Sequence, residues 1–371
     1  MEQDHGKAAS VTVADVARAA GVSKATAARV LGGYGTVSDR VRAAVLSAAK
    51  ALDYRPNELA RSMTTGRSGT IGVVVGDIEN PFFSSAVRGI ADVARLAGFN
   101  VILTNSGEEI AAEKAAVKTL VAKRVDGLIV SPARDSDIEH LRDIERSGRP
   151  LVLLDRAVES LRVDAVTADD FQACEAVTRL LIDEGHRRIV YLTACDTPGH
   201  RFETLDDLYT GSVRARVAGF LKAGAEAGIE AMGGFVKLGA LGAERTRAQA
   251  RDLFEAALPP TAIIASDSLI ALEVFRLARE LGLQLPRDLS LVCFHDADWT
   301  SVTSPPVTVI RQPVYRIGET AARLLIGRLK GEGNAPAHVV LDTTLIARGS
   351  VGPAPAEGRS GARETRLRHP V

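Results

Sequence analysis

The chain has 371 residues, 46% of them hydrophobic and 25% charged, with 46 Lys and Arg against 46 Asp and Glu. That length buries a sizeable core in two or more domains, and no run approaches the roughly 18 consecutive apolar residues of a membrane span. Three widely spaced cysteines, Cys174, Cys195 and Cys293, argue against a disulfide framework and a zinc cluster, and the polar opening MEQDHGKAAS makes a reducing cytoplasm the expected compartment.

The first predicted helix starts at Thr12, whose hydroxyl is followed three residues later by Asp15 in a capping-box-like pattern. Val13, Val16, Ala17 and Ala20 share a face, Gly21 can end the helix in the left-handed region, and Ser23 is an N-cap for a second helix. In that helix Ala27, Val30 and Leu31 fall on one side and leave Lys24, Ala25, Thr26, Ala28 and Arg29 on the other. A third helix, from the Ser38 cap to about Leu52, closes the core with Val41, Val45, Leu46, Ala49 and Leu52. Two capped helices joined by so short a turn have the layout of a helix-turn-helix, whose second helix enters the DNA major groove. A plain helical bundle with solvated Lys24 and Arg29 has the same spacing. Residues 1–70 carry a net charge of +4 and residues 71–350 a net −6, with +2 on the tail, which suits a basic nucleic-acid-contacting head on an acidic body.

After Tyr54, residues 55–69 read as a short proline-started helix and a Thr/Gly/Arg/Ser link; a helix of about two turns is too short to be stable alone. Short β-branched runs follow at Thr70–Val75, Asn100–Thr104, Asp126–Ser131, Leu151–Leu154, Arg188–Thr193, Thr261–Ala265 and Ser290–Phe294, with helical stretches such as Phe83–Leu96 and Glu108–Lys123 between them. Such alternation predicts α/β lobes with parallel sheets covered on both faces, which bind ligands beyond the carboxyl ends of their strands, and the number of runs suits two lobes. The strand ends supply Asp77, Phe82, Phe83, Asp169 after a further run at Val163–Thr167, Ser266, Asp267 and His295 as cleft candidates. Carboxylates and aromatic rings fit a polyhydroxylated ligand; equally, Asp267 reads as a helix N-cap and the two Phe as core. Residues 196–212 form a long polar loop with no readable role, and the segment after Ser350 lacks leucine heptads.

The head, YRPNELARS from Tyr54 and TIGVVV from Thr70 resemble the LacI family of bacterial transcription repressors, as do NPFF from Asn80, RVDGLIV from Arg124, EGHRRI from Glu184, RVAGF from Arg216, PPVT from Pro305 and RQP from Arg311. The resemblance covers about residues 11–350. It implies a helix-turn-helix DNA-binding head at 11–54, a hinge helix and linker at 55–69, a two-lobed periplasmic-binding-protein-like body of Rossmann-like subdomains at 70–350, and a disordered tail at 351–371. It also implies Arg216 and Gln312 as effector contacts, and Thr12, Ser23, Lys24, Ala25, Thr26, Arg29, Tyr54, Asn57, Ala60 and Met63 as DNA contacts.

Departures from the family pattern sharpen these expectations. Ala28 stands where Ser is common, Gly32 replaces a frequent Asn, and Ala25 offers only methyl contact, so base readout falls to Lys24, Thr26 and Arg29, each good bidentate contact being worth roughly 1–3 kcal/mol. Met63 stands where Leu usually wedges into the minor groove, a task an apolar, flexible side chain can share. Cys293, Phe294, His295 and Asp296 replace Gly-Phe/Tyr-Asp-Asp/Asn, so a histidine that can donate, accept or carry charge takes the place of a sugar-binding carboxylate. That points to an effector with an anionic group, unless His295 only fills space. The expected protein is a homodimer on a pseudo-palindromic operator in the nucleoid, controlled by a sugar or sugar derivative and tied to carbohydrate metabolism. No cofactor or metal is expected. A two-lobed solute-binding protein without a transcriptional role is the alternative. An enzyme is disfavoured, since no G-x-S-x-G, H-E-x-x-H, Walker A or G-x-G-x-x-G string occurs. His186 and His200 have no acid or nucleophile at motif spacing, and His186 is expected at a helix C-terminus.

Overall fold

A computed structural model describes residues 11–54, 67–333 and 335–355. The chain divides into two compact units, one ending at Gly69 and the other beginning at Thr70.

The first unit holds α1 (Val13–Ala19), α2 (Lys24–Gly32) and α3 (Asp39–Ala51). Thr12 donates to Asp15 Oδ2 from both its backbone N, at 3.0 Å, and its hydroxyl, at 2.7 Å, and these bonds hold the Asp15 carboxyl below its ordinary pKa. Ser23 Oγ accepts from Thr26 N at 3.1 Å, and Gly33, at φ 71°, ends α2 in the left-handed region. Val16, Ala17, Ala27, Val30, Val45 and Ala49 form the core. Leu46, expected in it, is 52% exposed, because the buried face of α3 runs through Val45 and Ala49, four residues apart, and the next residue is turned away. Ser38 occupies the N-cap of α3 without a side-chain bond. Asn57, Ala60 and Met63 lie outside the described residues.

The second unit contains two six-stranded sheets. The first lobe orders its strands β11-β5-β4-β3-β1-β2 and is parallel throughout: β1 (Thr70–Val75), β2 (Asn100–Asn105), β3 (Gly127–Val130), β4 (Leu151–Leu154), β5 (Asp164–Ala168) and β11 (His338–Leu341). The second lobe orders its strands β12-β10-β9-β8-β6-β7: β6 (Ile189–Leu192), β7 (Val236–Lys237), β8 (Ala262–Ala265), β9 (Ser290–Phe294), β10 (Thr308–Arg311) and β12 (Thr344–Ile346). Only β12 runs antiparallel, against β10. The central strands are buried along their whole length, as a sheet covered on both faces requires. Apolar clusters lie on each face of each sheet.

The chain passes between lobes after β5, after β10 and between β11 and β12. Each of the first two crossings opens a long helix, α7 (Asp170–Asp183) and α12 (Val314–Lys330). α12 packs on α4 (Pro81–Leu96), where a Cβ at Gly318 would overlap the Ala86 carbonyl; α7 packs on α8 (Gly211–Glu226), where a Cβ at Gly219 would overlap the Phe171 carbonyl. Residues past 350, expected as tail, stay with the second lobe as far as Pro355: Gly352 N donates to Ser290 Oγ at 3.2 Å and Ala354 N to Glu184 O at 2.8 Å. His186 anchors this segment. It is fully buried, with ring nitrogens 2.9 Å from Thr261 Oγ1, 3.0 Å from Ser290 Oγ and 3.1 Å from Gly352 O, and burial lowers its pKa. It lies just past the C-terminus of α7, as expected, its N donating to Leu181 O at 3.0 Å, and its burial favours the neutral, hydrogen-bonding ring. No helix among the described residues is long and apolar enough to cross a membrane.

Candidate functional site

On the head, packing of Ala27 and Val30 turns the rest of α2 outward. Ser23, Lys24, Ala25 and Arg29 are exposed, as is Thr12, while Thr26, Ala28 and Tyr54 are half-buried. Thr26 also spends its hydroxyl on Ser23 Oγ, 2.8 Å away, so the cations at Lys24 and Arg29 are the long arms of this face.

In the body, the strand ends of both lobes bring charged groups together. Arg216, on the first turns of α8 and 6% exposed, donates Nε to Asp170 Oδ1 at 2.7 Å and Nη1 to the Ser266 carbonyl at 2.9 Å, with its guanidinium 4.1 Å from the centre of the Phe294 ring. Burial pushes the Asp170 carboxyl up to about 7 even against Arg216. From the first lobe, Asp155 follows β4 with its carboxyl raised by burial while Arg216 and Arg156 pull it down. Arg156 holds Glu108 through two bonds, 2.6 and 2.9 Å, and the Pro132 carbonyl at 2.8 Å. Glu108, Asp155 and His295 all take left-handed backbone, at φ 62°, 65° and 73°, a conformation that costs energy and gathers at ligand sites.

The lobes touch on both sides of this cluster. The Phe82 ring meets the His295 ring edge-on at 6.2 Å and Phe83 at 5.2 Å. Opposite, Arg134 lies 4.0 Å over the Tyr209 ring, Asp135 N donates to Tyr209 O at 2.9 Å, and Arg214 pairs with Asp135 at 2.7 Å. The long loop of residues 196–212 thus supplies a bridge to the first lobe. Within it His200 does find an acid, Asp196, with Nδ1 2.7 Å from Oδ1.

Of the sequence candidates, Phe82 meets the Phe83 and His295 rings, Arg216 bonds the Ser266 carbonyl, and His295 and Gln312 line one cavity. Asp267 serves as the N-cap of α10 (Ser268–Glu280), accepting from Leu269 N and Ile270 N at 2.8 and 2.9 Å, and burial raises its pKa. Asp169 accepts from Thr343 N at 2.8 Å, which ties the first crossing to the third. Asp77 Oδ1 accepts from Glu79 N at 3.0 Å in the turn before α4, and no described contact joins it to the others. His295 is half-buried and burial lowers its pKa, which disfavours the charged form among the roles its side chain can take. Sequence reasoning missed Glu108, Asp155, Arg156, Asp170 and Tyr209. Asp155 and Arg156 had a signal, since they directly follow the Leu151–Leu154 run; Glu108 and Tyr209 come from irregular segments.

Polar atoms without partners gather here. Among the described residues Ser131 Oγ, Asp155 Oδ1, Arg156 Nε, Ser268 Oγ, His295 Nδ1 and Gln312 Nε2 are buried at strand ends or crossings with no hydrogen bond. Such groups cost stability unless something satisfies them. A cavity of about 1010 Å³ opens beside the cluster against Asp155, Asp170 and Ser212, and a smaller one of about 280 Å³ lies at the second crossing against His295 and Gln312. No group of three or more His, Cys, Asp and Glu among the described residues is placed to hold a metal ion.

Comparison with known proteins accords with this geometry. Residues 12–57 match the family described as bacterial regulatory proteins, lacI family, and residues 178–351 a periplasmic binding protein-like domain. The chain is 32% identical over 316 residues to catabolite control protein A of Priestia megaterium, covering 85% of this chain and 92% of that one. It is 31% identical over 343 residues to the HTH-type transcriptional repressor PurR of Photobacterium profundum, covering 92% and 98%. Among solved structures it is similar to the lac repressor dimer bound to operator and the anti-inducer ONPF (TM-score 0.78, 26% identity, covering 92% of this chain and 99% of that one). It is similar also to the transcriptional regulator CelR in complex with cellobiose (TM-score 0.66, 28% identity, covering 92% and 99%). With this head, this body and these relatives, the chain belongs to the LacI family of bacterial transcription regulators.

Proposed function

We propose that the protein is a repressor whose operator affinity is set by a small polyhydroxylated effector, a sugar or sugar derivative, bound between the two lobes. The observation that carries this reading is the set of buried, partnerless polar atoms at the strand ends of both lobes, one of which, on His295, belongs to a ring that the Phe82 ring meets edge-on. Hydroxyls can satisfy such donors and acceptors while sugar carbon faces stack on rings. The cellobiose in the CelR complex supports the same class.

Two subunits would set two α2 helices on the half-sites of a pseudo-palindrome, with Lys24 and Arg29 reading base edges, and residues 55–69 would pair over its centre with Met63 entering the minor groove. Effector contacts with both lobes would favour one interlobe angle. Since coupling between sites is reciprocal, effector and operator would alter each other's affinity by the same factor. The test is a gel shift on the DNA upstream of the protein's own gene, with and without a panel of neutral and acidic sugars. A specific shift altered by one sugar is expected. Absence of any specific shift under every condition would refute the repressor reading.

A further inference from the structure

The smaller cavity, about 280 Å³, lies where the second crossing enters α12, lined by Ser85, His295, Asp296, Arg311, Gln312 and Arg316. Its donors outnumber its acceptors. Gln312 is 5% exposed and its Nε2 has no partner; His295 Nδ1 has none either. The one carboxylate is already engaged: Asp296 Oδ2 accepts from Arg311 Nε and Nη2 at 2.9 and 2.6 Å and from Arg348 Nη2 at 2.9 Å, and Oδ1 accepts from Thr300 Oγ1 at 2.8 Å.

The helix that begins here has the wrong charge for its own dipole. α12 spans 17 residues, its N-cap is Pro313 with no side-chain cap, and its first turn holds no acid. Arg316 sits in that turn, exposed, with no carboxylate within ion-pair distance among the described residues. The N-terminus of a helix is positive and favours anions; a cation there is destabilising unless an anion lies between them. The Val314 amide is spent on the Gln312 carbonyl at 2.9 Å, so the Tyr315 and Arg316 amides, the Arg316 guanidinium and the buried Gln312 side-chain amide are the donors left for one partner.

We propose that this crossover cavity seats a phosphate or carboxylate group, held by the Gln312, His295 and Arg316 side chains and the Tyr315 and Arg316 amides of α12. The anion is either free in solution or carried by the effector; the second case rests on the effector reading above, the first does not. The seat lies on a segment that joins the lobes and beside the Phe82 and His295 contact, so a bound anion fixes the crossing against both.

The test is calorimetric titration of the full chain, wild type and Arg316→Gln, with inorganic phosphate and with matched pairs: glucose and glucose 6-phosphate, ribose and ribose 5-phosphate, glucose and gluconate. Phosphate binding weakened roughly ten- to hundredfold by the substitution, with restoration by Arg316→Lys, supports the seat with a free anion. A preference for the charged member of a pair that Arg316→Gln removes, with binding of the neutral member kept, supports the seat with an effector-borne anion. The proposal is overturned if neither phosphate binding nor the preference for the charged member of any pair depends on Arg316. The phosphate titration involves no sugar and no operator, so its failure leaves the repressor reading standing.

Discussion

Replacing Arg216 by Met tests the chemistry of the cleft most directly. Arg216 is 6% exposed and Asp170 3%, and they share a 2.7 Å bond. Removing one partner of a buried pair leaves an uncompensated charge and costs about 3–5 kcal/mol. The cost here depends on pH. Burial already raises the Asp170 carboxyl to about 7 in the folded chain, and without Arg216 it rises further. A raised acid means that the folded state binds the extra proton, so the related stability is present in acid and lost as pH rises through the folded value. Arg216→Met should therefore be most destabilising at about pH 8 and distinctly less so at about pH 5.5, where the carboxyl is neutral. Adding Asp170→Asn to Arg216→Met should recover part of the loss at high pH, a coupling expected of contacting residues. Urea unfolding followed by Trp299 fluorescence reads this in the right lobe, because Trp299 is the chain's single tryptophan and its ring lies 6.1 Å from Phe275. A penalty that does not change with pH, together with a double variant no more stable than Arg216→Met, would refute the account. In gel shifts the same single variant should bind operator and ignore the effector.

Other substitutions separate head from body. Ser23→Ala removes the α2 cap at Thr26 N and should cost about 1 kcal/mol of head stability, seen in the thermal unfolding of the chain by circular dichroism. Met63→Gly should lower specific operator affinity by roughly an order of magnitude or more, as loss of a minor-groove wedge implies, with effector titration unchanged; an unaltered operator affinity excludes the wedge. Gly318→Val should destabilise the first lobe by about 1–3 kcal/mol, the usual cost of overpacking, because its Cβ would overlap the Ala86 carbonyl; an unchanged urea midpoint for this variant would contradict the packing of α12 on α4. Burial depresses His186 in the folded chain, so the unfolded chain takes the proton first and stability should fall as pH drops below the ordinary histidine value, by up to about 1.4 kcal/mol per pH unit for this group. His186→Asn should flatten that part of the urea-midpoint profile.

Most of the fold was legible because buried parallel strands are continuous apolar runs: Thr70–Val75, Leu151–Leu154 and Ser290–Phe294 stand as read. The strands the sequence did not announce are the two-residue β7, half-exposed β11 and β12, and β10, which follows a Pro pair. Their positions are fixed by partners far away in sequence, as in the pairing of His338–Leu341 with Ala165–Ala168. Leu46 shows the converse limit, since a helical stripe read from spacing alone does not say where a three-helix core stops. In the site, Arg216 and Gln312 came from their family strings. The Glu108 and Arg156 pair did not, because 48 residues separate two side chains that only the meeting of β-strand ends brings to 2.6 Å.

His295 is where the two kinds of reasoning correct each other. The sequence alone makes it a candidate cation because it replaces an acid, but burial disfavours the charged ring, and the nearby cations are arginines. A neutral imidazole donates from one nitrogen and accepts at the other, so at this position it can meet a hydroxyl or one oxygen of an anion, while Arg316, outside the family strings, carries the charge. Selectivity between neutral and anionic effectors then lies on the α12 side of the crossing and not at the substituted strand end. His295→Asn, which keeps a neutral donor and acceptor there, should therefore change which hydroxyl pattern is accepted without erasing a preference for an anionic partner, whereas Arg316→Gln should erase that preference alone; a reversal of these two outcomes in competition titrations would return the charge-reading role to His295.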